Sequence, residues 1–476
     1  MRTALGSLAF LFCLNSIPAD AQIANFEHVV VIVQENRTPD SLFYSLCNPA
    51  SLCSTTPSAK QYDIQTANWA NNAAPNGVTQ PVPVDLKNTY DLDHSHTGYV
   101  KMCDLNATTG VCAMDGAASN VCSPNPGTVC PASPQYAYVD NSRGLLHPYL
   151  DLVTQYGWAN YMFQTNQGPS FPAHQFLFGA TSAPSAADDH IGTFASENVL
   201  NSNSAGCNAA PGTKVQLIDA AGIEASNNTT FPCFEHQTLA DLLTAKGDSW
   251  RYYALNADSI WTAPNAIDHI CEPSNRVCTG AAWAANVDLN QTDILRDIAG
   301  CNLRNVSWVT PSAGYSDHSG RNNGLGPSWV AAIVNSIGNS TCVDQYGKTY
   351  WQTTAILVVW DDWGGWYDHE PSTILANPQG GYQYGFRVPF IFVSAYKPPR
   401  YISNIRCDFG CIARFVEHNF SIPLGALTFA DARSSSDLYD FYNLRLLPRR
   451  FRTIPAPHGA SFFLKDSSPQ LPPDDD

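Results

Sequence analysis

Positive charge is scarce in this chain. Lys and Arg number 25 against 41 Asp and Glu, a formal net charge of −16 over 476 residues. Phosphate backbones need Lys and Arg to displace counterions, so the balance argues against nucleic acid as a partner. Past the first residues no run is long and apolar enough to span a bilayer, so no transmembrane segment is expected. Neither a G-x-S-x-G elbow nor an H-E-x-x-H helix occurs, which weakens a serine-esterase or zinc-protease reading. Cys407-x-x-x-Cys411 has no Cys/His partner set with zinc spacing, so it reads as a disulfide rather than half a zinc site. Internal repeats are absent as well.

What is present begins with an export signal. Arg2 supplies a positive start, "LGSLAFLFCL" a short apolar middle, and Ala19 to Ala21 an A-x-A cleavage site. A signal peptide is therefore expected over residues 1–21, and a secreted or periplasmic protein after it. The competing reading is an uncleaved anchor. Cysteine usage agrees with export. Of 15 cysteines one, Cys13, leaves with the signal, so 15 − 1 = 14 remain, an even number that suits disulfides.

With 44% hydrophobic residues the chain can bury a large core. Val29 to Val33 is an unbroken apolar, β-branched run that ends at once on Gln34, Glu35, Asn36 and Arg37. Ala355 to Trp360 is a second, ending on Asp361 and Asp362, and "RVPFIFVSAY" (Arg387 to Tyr396) a third. Runs apolar on both faces suit parallel strands covered by helices. Helical periodicity lies between them. "PSWVAAIVNSIG" spaces Val330, Ile333, Val334 and Ile337 as one face, opened by Pro327 and closed by Gly338. "TLADLLTAKG" carries Thr238 as N-cap, Asp241 three on, and Gly247 as C-cap. "CIARFVEHNF" puts Ile412, Phe415 and Val416 on one face, with His418 as a structural residue. The alternation predicts an α/β fold, a three-layer α/β/α arrangement with a mostly parallel central sheet. Residues near 47–140 and 182–231 lack periodicity and read as disulfide-stapled insertions, or else as a small separate domain. The polar tail is expected to be flexible over 456–476.

In open α/β sheets, ligands bind beyond the carboxyl ends of the strands. If the first two runs are strands of one sheet, Glu35, Asn36, Asp361 and Asp362 share a rim. Three carboxylates there would repel and raise one another's pKa unless a cation sits among them. An all-oxygen set suits Mg²⁺, Ca²⁺ or Mn²⁺, with zinc still open, so the cofactor is a divalent metal ion of unknown identity. A structural ion pair between Glu35 and an arginine such as Arg37 is the competing reading, and "WDDWGG" weighs against it because adjacent aspartates among tryptophans are costly to bury. Ser170 in "NQGPSFPAHQF" follows a Gly-Pro turn and precedes Pro172, which suits a helix start and its dipole; plain N-capping is the alternative. His94 and His96 in "DLDHSHTG", His318 in "GYSDHSG" and His369 in "WYDHEP" sit in polar clusters and supply candidate acids.

"HVVVIVQENRTPDSLF", "DLDHSH", "GPSFPAHQFLFGAT", "LLTAKGDSWRYY", "VSWVTP", "SDHS", "ILVVWDDWGGWYDH", "GFRVPFIFVSAY" and "RFVEHNF", in this order, resemble the bacterial phosphoesterase family of phospholipases C and secreted acid phosphatases. The resemblance runs from about Phe26 to about Phe441. It implies an alkaline-phosphatase-like fold with a metal at the carboxyl edge of the sheet. Glu35 with Asn36, and Asp361 with Asp362, match the family's metal ligands. Ser170 matches its nucleophile, His94 and His318 its active-site histidines, and His369 the histidine of its "YDH" motif. The family's Pro-Asn-Arg/His segment is here Pro172-Ala173-His174, which puts substrate contacts at Ala173 in doubt. The extra C-terminal β-rich domains of the phospholipases are not expected after "YDFYNL", which leans towards the smaller phosphatase-like members and leaves lipid substrates open.

The resulting expectation is one catalytic domain over 22–455. A length-based split into about three domains fails, because one site needs Glu35 and Asp361 together. The domain would hydrolyse phosphate esters through a phosphoserine on Ser170, in the manner of an acid phosphatase. The alternatives are a phospholipase C acting on phospholipid head groups, a metal-independent serine esterase, and a binding protein on a degenerate hydrolase scaffold.

Overall fold

The computed structural model describes residues 23–200, 204–372 and 384–471. The expected signal peptide lies outside the described residues. Eight strands form the central sheet: β1 (His28–Gln34), β2 (Gly157–Ala159), β3 (Trp250–Tyr253), β4 (Val287–Asp288), β5 (Val306–Val309), β6 (Thr354–Trp360), β7 (Phe390–Val393) and β8 (Tyr401–Ser403). Their order is β4-β3-β5-β1-β6-β7-β2-β8. Strands β4, β3, β5, β1 and β6 run parallel to their neighbours, and β2 runs parallel to β8. Strand β7 is antiparallel to both β6 and β2. Its apolar run is as buried as that of a parallel strand, which is why composition alone gives no sign of its direction.

Six helices position the site and anchor the tail: α1 (His147–Gln155), α2 (Ser170–Gly179), α3 (Leu239–Lys246), α4 (Gly326–Gly338), α5 (Phe409–Asn419) and α6 (Ala460–Phe463). Thr238 and Asp241 close the capping box of α3, and Gly247 ends it at φ 83°. Pro327 occupies the first turn of α4. The helices cover both faces of the sheet. Successive strand residues point to opposite faces. Trp308 of β5 donates its indole N–H to Leu177 O of α2, 3.1 Å away, on one face. On the other, Trp360 of β6 meets Tyr149 of α1 with ring centroids 5.2 Å apart. Val29 to Val33 are sealed between these layers. Each such side chain contributes roughly 1.5–3 kcal/mol by leaving water.

The first insertion holds three short-range disulfides, Cys47–Cys53, Cys103–Cys112 and Cys122–Cys130. It shares a core with the main domain: Trp69, Tyr99, Met102 and Tyr136 pack with Trp363, Tyr367 and Phe386. The second insertion contributes a three-stranded antiparallel sheet, and Cys207–Cys233 ties it down. Cys271–Cys278, Cys301–Cys342 and Cys407–Cys411 complete seven disulfides among the 14 remaining cysteines.

Part of the segment expected to be a flexible tail, 456–471, makes contacts with the domain. Helix α6 seats Phe463 against Tyr315 and Trp329, with ring centroids 5.0 and 5.1 Å away. Tyr315 Oη donates to Asp466 Oδ2 at 2.7 Å. Phe463 thus buries an aromatic side chain against the main domain. Among the described residues no helix is long and apolar enough to cross a membrane.

Candidate active site

Strands β1 and β6 are parallel neighbours in a register that sets Gln34 beside Trp360. The next residues on each strand are therefore Glu35 and Asp361, side by side at the carboxyl edge. Asp361 N donates to Gln34 O at 3.0 Å and Arg37 N donates to Asp362 O at 3.0 Å, so the two loops are laced together. Alternation along β1 then sorts the side chains. Gln34 turns to one face and donates to Tyr315 O at 3.2 Å. Glu35 turns to the other and meets His174 of α2. Asn36 takes the left-handed conformation at φ 60°, which asparagine tolerates better than most residues. Gly364 passes directly over it. A Cβ there would lie 2.4 Å from Asn36 O, and Gly364 itself sits at φ 61°, so only glycine fits this part of "WDDWGG".

Helix α2 begins at Ser170, after Pro169 in extended conformation, and all ten of its residues are buried. Ser170 Oγ donates to Asp362 Oδ2 at 3.2 Å. One turn on, at i+4, His174 Nε2 lies 3.2 Å from Glu35 Oε1 and 3.7 Å from Asp361 Oδ2. Burial holds the His174 imidazole down at about 4 against the pull of Asp361, so it is neutral and offers a lone pair. Burial first, and Asp361 second, push the Asp362 carboxyl up to about 8.

Two histidines complete the group. His94 Nδ1 lies 2.7 Å from Leu92 O, which fixes the proton there, and Nε2 accepts from Asn36 Nδ2 at 3.1 Å. His318 Nδ1 likewise donates to Ser319 O at 2.8 Å. The two imidazoles stand edge to face, 5.7 Å between centroids. A cavity of about 400 Å³ adjoins His94 and is lined by Asp91, Asp93, Ser95, Pro169 and Glu197. Burial, then Glu224, raise the Glu197 carboxyl to about 8.

The residues fit a cation. Glu35, His174 and Asp361 each offer a ligand atom, all within 4.8 Å of one another and fully buried. Asn36 Oδ1 and Asp361 Oδ2 are buried without a hydrogen-bond donor. Buried carboxylates this close cost several kcal/mol each, on the order of the penalty for any unpaired buried ion. Arg37 does not supply the counter-charge. It donates to Asp317 O and Leu86 O and lies over the Trp366 ring at 4.7 Å.

Of the residues singled out in the sequence, Glu35, Asn36, Asp361, Asp362, Ser170, His94 and His318 come together. His369 does not join them. Its Nδ1 lies 2.8 Å from Asp40 Oδ2 and its Nε2 3.0 Å from Asp63 Oδ1, in a separate network closed by Arg387 and Asp368. Gly364 and Gly365, both at positive φ, turn the chain away from Asp361 and Asp362 before "YDH" is reached. His418 Nδ1 contacts Asp437 Oδ2 near the surface. His174 was not among the expected ligands. Its signal is position i+4 from Ser170 on a helix with no other polar residue aimed the same way.

The model of the Phosphoesterase family matches residues 26–423. The chain belongs to the Phosphoesterase family. It is a hydrolase of phosphoric ester bonds. Phospholipase C A of Mycobacterium tuberculosis is 20% identical over 473 aligned residues, covering 91% of this chain and 80% of that protein. The non-hemolytic phospholipase C of Pseudomonas aeruginosa is 23% identical over 229 residues, 41% of this chain and 31% of that one. Among solved structures, a protein in the alkaline phosphatase superfamily from Vibrio parahaemolyticus is 13% identical with a TM-score of 0.31, covering 58% of this chain and 61% of that chain.

Proposed function

We propose that this phosphoesterase is metal-dependent and works through a phosphoserine on Ser170. The observation behind this is the 3.2 Å contact of Ser170 Oγ with Asp362 Oδ2, beside the buried Glu35, His174 and Asp361 group. A divalent cation held by Glu35, Asn36, Asp361 and Asp362, with His174 as a nitrogen donor, would polarise a phosphoryl oxygen and lower the pKa of the serine hydroxyl. Asp362 takes the hydroxyl proton as Ser170 Oγ bonds to phosphorus and the alkoxide departs in line. His318 gives that alkoxide its proton. His94 suits the task less, because protonation of Nε2 would set two N–H groups, its own and that of Asn36 Nδ2, against each other. Its part is to hold Asn36 with the carbonyl oxygen turned to the carboxylates. Water then hydrolyses the phosphoserine. Backbone N–H groups at the start of α2 favour the negative charge of the phosphoryl group.

An acid-phosphatase-like monoesterase is the first reading. A phospholipase C is the second, and the cavity lined by Asp91 and Asp93 beside His94 favours it. Acidic walls suit a cationic head group on a phosphodiester. The names of the relatives point the same way. Seven disulfides support a secreted or periplasmic location. The catalytic domain would span 22–455.

The test is nitrophenol release from p-nitrophenyl phosphate and p-nitrophenylphosphorylcholine, each with and without a chelator. Faster release from the monoester supports the phosphatase, and faster release from the choline ester the phospholipase C. Full turnover of either ester after chelation, with no metal left in the protein, would overturn metal dependence.

A further inference from the structure

Buried indole N–H groups are paired almost throughout this protein. Those of Trp69, Trp158, Trp250, Trp308, Trp351, Trp360, Trp363 and Trp366 each donate to a carbonyl, carboxylate, hydroxyl, amide oxygen or thioether. Among the described residues, two buried indole nitrogens have no such partner, Trp261 Nε1 and Trp329 Nε1. An unmet buried N–H is costly, so each calls for a reason. Trp329 has one. Its ring stands edge to face with Phe463, 5.1 Å between centroids, and an in-plane N–H can point at a ring face in that geometry.

Trp261 has no aromatic face to receive its N–H. Its ring is 2% exposed and stacks on His174, 6.3 Å away and tilted by only 21°. An in-plane N–H runs alongside a ring so stacked, not into it. The other ring beside it is His318, at 6.2 Å. The indole therefore sits between the rings of His174 and His318. It is held rigidly. Its carbonyl accepts from Tyr252 Oη at 2.8 Å, its backbone N donates to Ser259 Oγ at 3.0 Å, and Gln175 of α2 donates to Ala263 O two residues on at 3.3 Å. Indole is a donor and never an acceptor, so its natural partner is an oxygen carrying negative charge.

We propose that Trp261 Nε1–H donates to a non-bridging phosphoryl oxygen of the substrate, making Trp261 a further substrate-binding residue. This rests on the phosphoryl-transfer reading of the same site. A donor fixed before substrate arrives costs no reorganisation as charge gathers on that oxygen.

The test compares wild type, Trp261→Phe and Trp261→His in the metal-loaded protein. The readouts are the inhibition constants of inorganic phosphate and orthovanadate, kcat/KM for p-nitrophenyl phosphate, metal content, and melting temperature. Phe keeps the stacked ring and loses the donor; His restores a donor. The expected result is a loss of about tenfold to a hundredfold in inhibitor affinity and kcat/KM for Phe, the range of a hydrogen bond to a charged group. Metal content should stay unchanged, with part of the loss recovered by His. Unchanged inhibition constants in Trp261→Phe, with wild type inhibited, overturn this proposal alone. A wild type blind to both anions and inert towards the ester overturns the parent reading and this proposal with it. Should Trp261→Phe not fold, ¹⁵N-indole-labelled wild type still reports. One indole proton, missing from Trp261→Tyr, should move downfield on addition of phosphate, and no movement of that proton overturns the assignment.

Discussion

Alkaline pH should unfasten the loop that follows Asp361 and Asp362. His369 bonds to Asp40 through Nδ1 and to Asp63 through Nε2, at 2.8 and 3.0 Å. Both nitrogens donate only in the imidazolium. Burial alone would lower its pKa, yet Asp40 and Asp63 outweigh it and hold the ring at about 10. In the unfolded chain the ring titrates near its ordinary value of 6.5. A raised folded pKa contributes stability that is fully present below the unfolded value and is lost as pH rises through the folded one. The window is therefore pH 6.5 to about 10. Each pH unit across that window is worth about 1.4 kcal/mol, so the stake is roughly 3–5 kcal/mol. Urea unfolding midpoints at pH 7, 9 and 10.5, without reductant, give the assay. Wild type should lose most of that margin by pH 10.5. His369→Gln should start lower at pH 7 and lose less, which separates this ring from tyrosines and from His269, which Asp241 raises to about 9. Parallel pH profiles for wild type and His369→Gln would show that this ring does not set the alkaline limit.

Asp362→Asn should lower bound metal, measured by elemental analysis of the purified protein, and cut kcat/KM by about a hundredfold or more; unchanged metal would move the ligand role elsewhere. His318→Gln should slow esters with poor leaving groups far more than nitrophenyl esters, and equal losses would mean that it binds phosphate instead of donating a proton. Phe463→Ala should cost about 3–5 kcal/mol by emptying the contact with Tyr315 and Trp329, read as a lower urea midpoint with kcat unchanged.

The site was legible where chemistry interrupts a pattern. Two apolar strands that end on carboxylates are anomalous in isolation, and parallel pairing places Glu35 beside Asp361 for that reason. Ser170 at a helix start was legible from Pro169 and Pro172. His174 was not, because a buried helix carries no amphipathic pattern against which one inward polar residue stands out. His369 misled for the opposite reason. Its polar neighbours look catalytic in sequence, but in space His369 is tied into a closed network with Asp40, Asp63, Asp368 and Arg387. The direction of β7 was hidden because burial on both faces reads alike for either polarity. The contact of Phe463 with Tyr315 and Trp329 was not legible because composition averages over a single residue.

The mechanism stands or falls on Ser170 as the carrier of the phosphoryl group. The measurement that bears on it without intermediaries is turnover of p-nitrophenyl phosphate by Ser170→Ala, loaded with the same metal as wild type and matched to it in metal content and unfolding midpoint. A loss of roughly a thousandfold or more is expected, since the remaining groups can position the ester but not attack it. A rate within about tenfold of wild type would remove Ser170 from the chemistry.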